Sequence, residues 1–517
     1  MGEVIMNLDL DSNSISRRNF IKTTAMAAVA FNIIGCSPRK EKPNLLFIWT
    51  DQQRADTMAI YGNKKIEVPN LNKLASQSIV FENPYVTQPV CTPSRSSVMT
   101  GLYPHNNGCI DNNIHLPGNI PCTPEIISDP DYRTAYYGKW HLGNEFFAQH
   151  GFEEWISIED IYNQYFSEGR DKSLVSDYSN FLKSLGYKPD GENSEFTRDY
   201  ASKLPIEHCK PKFLEEKACD FLKRNKENPF ILYVNFLEPH PPFNGPLNDK
   251  YAPDYVDLPP NFNDELEEDE PLRYRMMKEK FYNEKYKGED LKTEQDWRKM
   301  TTKYWGLVSQ VDLSIGAILK TLDDQGLTDN TIVVFTSDHG EMMGAHRMLN
   351  KTVMYEEAVK VPWLMKIPHL KSKHQFVKGK FGHIDILPTV LDAMGNDYKL
   401  QGESLLPVVR GEKKHLRDVF IEWNNKNRDD ELNAKIKNVT KTEIQNAKEA
   451  FVRTVITQDG WKLCWADKDK SQLFNLNKDP YEFTNLYYKQ EYGTKVKELQ
   501  EKIRDWQNKT SDKLVLT

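Results

Sequence analysis

The sequence predicts an α/β protein: a large, central, mostly parallel sheet sandwiched by helices, followed by a smaller C-terminal α+β subdomain. Three observations predict it. Continuous apolar runs at residues 45–50, 230–236 and 332–336 show no polar alternation, the pattern of strands buried on both faces in a parallel sheet. Before the third run, Leu307, Val311, Ile315, Ile318, Leu319 and Leu322 recur at helical spacing and stop near Gly326. Past Gly411 the runs become short, with Gly460 in a turn, as in antiparallel pairing. Alternating strands and helices give a layered sandwich.

The 517 residues, 39% of them hydrophobic, can bury a large core and suggest two domains. A formal net charge of -7 with no basic block disfavours nucleic acid as a partner. An enzyme with that balance acting on an anion needs its cations gathered in the pocket. At the N-terminus, Arg17 and Arg18 precede a mildly apolar run over residues 23–34, and Ile33-Ile34-Gly35-Cys36 follows. The first part resembles a twin-arginine export signal and the second a bacterial lipobox. Residues 1–36 are thus expected to be a signal, with a lipid anchor on Cys36 and an exported protein in the periplasm or on the outer membrane. The run is too short and weakly apolar to span a bilayer. Export permits disulfides, and Cys109 with Cys122 and Cys209 with Cys219 are near enough in sequence to be candidate pairs.

Taken in order, the first apolar run ends in Asp51-Gln52-Gln53, the second in Glu238-Pro239-His240, and the third in Asp338-His339-Gly340. Ligands of open α/β sheets bind beyond the carboxyl ends of the strands, so these tips are expected to meet in one pocket. Between the first two lies Cys91-Thr92-Pro93-Ser94-Arg95, closed by Thr100-Gly101, which reads as a tight turn entering a short helix. A thiol at a helix N-terminus has a lowered pKa, and an anion finds donors there. Residues 144–228 and 244–300 interrupt the strand–helix rhythm and are expected to form walls that select a substrate. The acidic run Asp264, Glu265, Glu267, Glu268, Asp269, Glu270 reads as a solvated face. Strands are expected at 419–423, 452–456 and 461–465, and a closing helix at 494–507 with Thr494 as its N-cap.

Asp51, Gln52, Asp338 and His339 offer two carboxylates, an amide oxygen and an imidazole, a mostly oxygen set that favours Ca²⁺, with Mg²⁺ as the second choice. Lys139 and His141, two apart, share a face if the segment is extended. His240, fixed between prolines, is a candidate acid or base.

The run Cys91-x-Pro93-x-Arg95 with Thr100-Gly101 resembles the signature of the type I sulfatases, in the alkaline-phosphatase superfamily. Gly138-Lys139-Trp140-His141-Leu142-Gly143 and Gln472-Leu473-Phe474-Asn475 resemble further segments of that family. The resemblance spans roughly residues 42 to 510. It implies a catalytic domain over 43–411 and a C-terminal subdomain over 415–517. It also implies conversion of Cys91 to formylglycine by a generating maturase, and a metal held by Asp51, Gln52, Asp338, His339 and the modified Cys91. The family often has an acid where Gln52 stands and an asparagine where His339 stands. Implied catalytic residues are Cys91 as nucleophile, Arg95, Lys139 and Lys351 as cations, His240 as acid and His141 as base. His346 and Arg347 are weaker candidates, while His383 and Asp385 match a segment that holds the fold. The implied reaction is hydrolysis of a sulfate monoester, with a sulfated carbohydrate as substrate. The alternatives are a phosphonate monoester hydrolase or phosphodiesterase of the same superfamily, and a lapsed enzyme that binds sulfated glycans.

Overall fold

The computed structural model describes residues 42–191, 194–368, 370, 374–424, 432 and 436–516. The twin-arginine and lipobox segments lie outside them. Residues Pro43–Thr517 form one compact unit.

Its main sheet has eight strands: β1 (Asn44–Asp51), β2 (Ile79–Tyr85), β3 (Arg133–Gly138), β4 (Glu154–Ile156), β5 (Phe230–Pro239), β6 (Thr331–Ser337), β7 (Trp363–Lys366) and β8 (Gln375–Gly382). Their order is β4-β3-β5-β1-β6-β7-β2-β8. Only β7 runs against its neighbours; the other pairings are parallel. The three apolar runs are thus β1, β5 and β6, side by side at the middle. Alternate side chains of each serve opposite cores. Leu46, Ile48, Leu232, Val234, Val333 and Phe335 join one cluster; Leu45, Phe47, Ile231, Tyr233, Ile332 and Val334 join the other. Burial on both faces is why these strands lack polar alternation.

The second cluster is covered by α1 (Cys91–Thr100), whose ten residues are all buried. The first cluster is covered by α2 (Lys210–Arg224) and α3 (Glu294–Asp324). The helix begins more than three turns before Leu307, where its apolar repeat starts, because Thr293 and Asp296 form a capping box there. A second sheet, β9 (Val419–Trp423), β10 (Val452–Ile456), β11 (Trp461–Ala466) and β12 (Gln472–Asn475), is antiparallel throughout. One face packs Ile421, Ile456 and Cys464 against Val86, Val90 and Val361 of the main body, directly behind the residue that precedes Cys91. The other face is covered by α4 (Gly493–Thr510). Thr494 lies inside α4 rather than capping it, because the chain enters through a turn at Gln490–Tyr492.

The paired-cysteine expectation fails. All six described cysteines, Cys91, Cys109, Cys122, Cys209, Cys219 and Cys464, are free. Cys209 sits at the N-cap of α2 and Cys219 lies ten residues along it, about 15 Å away at 1.5 Å per residue and beyond disulfide reach. The acidic run is solvated at Glu265, Glu267 and Glu268, as expected, but not at its ends: Asp264 meets His346, and buried Glu270 accepts from Tyr355 at 2.9 Å.

His383 holds the fold just past β8. Thr336 donates to the Pro362 carbonyl at 2.8 Å and so accepts from His383 Nε2 at 3.0 Å. Its Nδ1 is buried without a partner, and burial pushes the imidazole down to about 3. Both states are neutral above about pH 6.5, so His383 is silent there. As pH falls from 6.5 toward the folded value, only the unfolded chain takes the proton. Stability then falls by about 1.4 kcal/mol per pH unit. Urea unfolding at pH 7.5 and 5.0 checks this. The loss between the two pH values should be about 2 kcal/mol smaller in His383→Gln than in wild type.

Candidate active site

The ends of β1 and β6 bring the predicted acids together. Asp338 N donates to Thr50 O at 3.1 Å, and Gln52 N donates to Asp338 Oδ1 at 3.0 Å. Between them stands Cys91, the first residue of α1. One ligand atom each of Asp51, Cys91, Asp338 and His339 lies within 4.8 Å of all the others, and all four residues are buried.

The cations decide which oxygens face inward. Lys139 Nζ donates to Asp51 Oδ2 at 2.6 Å, with Arg95 Nη2 on the same oxygen at 3.3 Å. Arg95 Nε holds Asp338 Oδ2 at 2.8 Å, and its Nη1 holds the Lys139 carbonyl at 2.8 Å. Each carboxylate therefore has one oxygen tied outward and turns Oδ1 to the centre. There His339 Nε2 lies 3.7 Å from Asp51 Oδ1 and 3.4 Å from Asp338 Oδ1. His339 Nδ1 faces the Gly340 carbonyl at 3.0 Å, which makes it the N–H donor and leaves the Nε2 lone pair inward. Gln52 donates its amide to Glu341, so its Oε1 turns to Lys351 Nζ at 2.5 Å. Two monodentate carboxylates, an imidazole nitrogen and a nearby amide oxygen are a donor set that fits a divalent cation.

Around the Cys91 sulfur lie His339 Nε2 at 3.2 Å, Lys351 Nζ at 3.4 Å, Asp51 Oδ1 at 3.8 Å and Lys139 Nζ at 3.9 Å. Burial and Asp51 push the thiol up, but Lys139, Lys351 and His339 outweigh them and bring it down to about 6. Burial likewise favours neutral Asp51 and neutral Lys139, yet their pairing wins. Asp51 stays well below the usual carboxylate range and Lys139 above the usual ammonium range. This is charge concentrated in a pocket of an otherwise acidic chain.

Lys139 and His141 do not share an extended face as their spacing predicts. The segment turns at Gly138, where a Cβ would lie 1.9 Å from Asn235 O, and at His141 itself, with φ of 57°. Buried Glu145 fixes the turn by accepting from the Trp140 and His141 amides at 2.8 and 2.7 Å. His141 stacks on Tyr162 at 4.2 Å, and its Nε2 meets Asn113 Oδ1 at 2.9 Å, so Nδ1 is left with a lone pair and no partner. Burial, then Lys139 and Arg95, hold this imidazole well below its usual value. His240, past β5, gives its Nδ1–H to the Pro241 carbonyl at 2.8 Å. Burial and then Lys351 lower it, while Asp51 pulls the other way. His346 and Arg347 stand apart. His346 is pinned by Asp264 at 2.7 Å and stacked on Tyr355, and Arg347 donates to Asn263 at 2.7 Å. A cavity of about 920 Å³, lined by Arg54, Asp56, Tyr304, Glu357 and Lys360 among others, includes none of the predicted site residues.

Glu145, Tyr162, Asn113 and Glu341 were not legible as site residues. Glu341 carried the only signal, an acid three residues beyond Asp338 in a strand-tip loop.

A buried thiol at a helix N-terminus, ringed by fixed cations, thus faces a donor set that suits a divalent cation at the carboxyl edge of a mostly parallel sheet. Residues 43–396 match the sulfatase family, and residues 344–509 match the family described as N-sulphoglucosamine sulphohydrolase, C-terminal. The chain belongs to the sulfatase family and is a sulfuric ester hydrolase. An "Ulvan-active sulfatase" of Formosa agariphila is 28% identical over 511 residues, covering 93% of this chain and 87% of that one. An "N-acetylglucosamine-6-O-sulfatase" of Bacteroides thetaiotaomicron is 26% identical over 569 residues, covering 98% and 94%. Among solved structures, a phosphonate monoester hydrolase from Silicibacter pomeroyi shares the fold with a TM-score of 0.73 at 21% identity, covering 91% of this chain and 96% of that one. Family membership implies a metal ion and a formylglycine derived from the cysteine.

Proposed function

We propose that this sulfatase removes sulfate from a sulfated sugar, using formylglycine at position 91 and Ca²⁺, with Mg²⁺ as the second choice. The observation that carries the reading is the ring of Lys139, Lys351, His339 and Asp51 within 3.9 Å of the Cys91 sulfur. The sulfated-sugar substrate is supported by the names of the two relatives above.

When present, the metal ion supplies charge against the sulfuryl oxygens, and the hydrated formylglycine supplies the attacking hydroxyl. The chain's own residues supply the rest. Asp51 keeps Lys139 protonated, so an ammonium stands fixed where negative charge builds on the non-bridging oxygens. Arg95 orients both metal-facing carboxylates through their outer oxygens. His141, deprotonated with a bare Nδ1, is the base that takes a proton when the aldehyde re-forms. Burial and Lys351 hold His240 well below its usual value, which favours the neutral imidazole. An arriving anion reverses that field, so His240 gains a proton in the complex and delivers it to the leaving oxygen, with Lys351 as the second donor. The chain is exported and lipidated on Cys36 in this reading, with a formylglycine-generating maturase as a partner. Cys36→Ala should move it from the membrane fraction to the soluble periplasm.

The test pairs peptide mass spectrometry at position 91 with turnover of aryl sulfate, monosulfated hexoses, a phenyl phosphonate and an aryl phosphodiester. Aldehyde at 91 with sulfate release as the fastest reaction supports the proposal. Faster phosphonate or diester cleavage would assign the chain to that chemistry instead. An intact thiol in protein from the native host, with no turnover, would leave a glycan-binding protein. Metal identity is read without activity: Ca²⁺ added to chelator-stripped protein should raise the unfolding temperature more than Mg²⁺ at equal concentration.

A further inference from the structure

Beyond Arg95, Lys139 and Lys351, one further arginine is linked to the same centre through an aromatic ring, that of Tyr162. Arg198 opens the short helix Arg198–Ala201, whose N-cap Thr197 accepts from Tyr200 N. Its Nη2 donates to Tyr162 OH at 3.0 Å, and its guanidinium carbon lies 5.8 Å from the Tyr162 ring centroid. The same ring stacks on His141 at 4.2 Å and has Lys139 Nζ 5.8 Å from its centroid. Tyr162 thus joins Arg198 to two residues of the reaction centre, and the charge of Arg198 contributes to lowering both His141 and His240.

A simple ion pair would explain Arg198 if Glu159 needed it. Arg198 Nε does meet Glu159 Oε2 at 2.6 Å, but Lys210 Nζ already sits on Glu159 Oε1. Burial raises Glu159, and Arg198 and Lys210 more than reverse this, bringing it down to about 2. The carboxylate is therefore ionised and shared by two cations, with buried Glu238 beside them pushed up to about 7 by burial, so Glu159 does not claim the whole charge of Arg198. The neighbouring Asp199 does not cancel it, since that side chain is exposed and its charge falls on Lys287. Glu159 is 1% exposed while the Arg198 side chain is 17% exposed, so Arg198 is the member of the pair that reaches solvent. Among the described residues its Nη1 has no hydrogen-bond partner.

We infer that Arg198 is a specificity-determining residue that binds a second anionic group, a carboxylate or another sulfate, on the sugar that carries the scissile ester. The inference rests on the sulfated-sugar reading and adds what else the substrate bears. A planar guanidinium with a free N–H suits either oxyanion, and the Glu159 and Tyr162 contacts hold it in place before substrate arrives. The first interrupting stretch thereby becomes a wall that selects a polyanionic sugar.

The experiment compares kcat/KM for hexoses sulfated once at O2, O3, O4 or O6 with the same sugars bearing a second anion, either a uronate carboxylate or a second sulfate. Wild type should prefer a two-anion member. In Arg198→Gln the preference ratio should fall by about 10- to 100-fold, the scale of one charge-assisted contact. Arg198→Lys should restore part of it. Because the readout is a ratio, a general loss of activity cancels. A wild-type ratio near one for every pair, or a ratio unchanged in Arg198→Gln, would overturn the inference and leave the sulfatase standing. Failure to release sulfate from any ester, aryl sulfate included, would instead count against the parent reading as well.

Discussion

Cys91→Ala should be folded and should lose sulfatase turnover by at least about 10⁴-fold, the scale set by removing a covalent nucleophile. Folding is spared because position 91 is the first residue of a helix, where alanine is well tolerated, and only the sulfur atom is lost from the packing. Turnover is lost because the other polar groups described around the sulfur are already engaged. Asp51, Asp338 and His339 gather one ligand atom each around the sulfur, and Lys139 and Lys351 donate to Asp51 and Gln52. Cys91→Ser separates nucleophilicity from the special chemistry of this position. An alcohol there can accept one sulfuryl group but has no second hydroxyl on its carbon with which to expel sulfate. The serine variant should release at most one equivalent of alcohol per chain and retain a sulfated peptide, unless a maturase converts the serine. Burst stoichiometry with peptide mass spectrometry reads both. Many turnovers by serine protein shown to be unmodified would falsify the nucleophile assignment.

How much of this centre could be read beforehand follows from physics. Asp51, His240 and Asp338 were legible because a parallel strand buried on both faces must be continuously apolar, and its first polar residue marks the tip. That local rule located three residues nearly two hundred and ninety positions apart without any contact information. Cys91, Arg95 and Lys139 were legible through short motifs. The other edge of the sheet was not. β2 mixes Glu82, Asn83 and Pro84 into its seven residues, and β7 has four residues and runs antiparallel. Neither shows a period long enough to register. Tyr162 and Arg198 were invisible for a different reason. They lie in an insertion held by side-chain contacts to Glu159, Asp160 and Asp190, and such contacts leave no periodic trace. The Lys139–His141 spacing misled because a left-handed residue breaks the two-residue alternation on which the reading relied.

The second large effect belongs to Asp51, whose loss should damage stability and chemistry together. Asp51 Oδ2 is the only carboxylate oxygen on Lys139 Nζ among the described residues, and the side chains of Asp51, Lys139 and Arg95 are all 0% exposed. Removing one member of such a group leaves a buried charge without its partner, a change that typically costs about 3–5 kcal/mol. Asp51→Asn should therefore lower unfolding free energy by about that amount, and the stripped variant should show no thermal shift on adding Ca²⁺ or Mg²⁺. Arg95 keeps Asp338, so the exposed fault is the Lys139 ammonium. Replacing that lysine as well, in Asp51→Asn with Lys139→Met, removes the orphaned charge. The double variant should recover most of the lost stability, to within about 1 kcal/mol of wild type, because a buried pair exchanged for neutral groups of similar size is often near neutral. It should not recover activity, since the metal-facing oxygen anion and the sulfuryl-facing ammonium are both gone. Stability that returns while turnover stays absent would show that this ion pair is kept for charge at the reacting sulfur and not for the fold. A double variant as unstable as the single one would mean that Asp51 supports the fold through contacts other than Lys139.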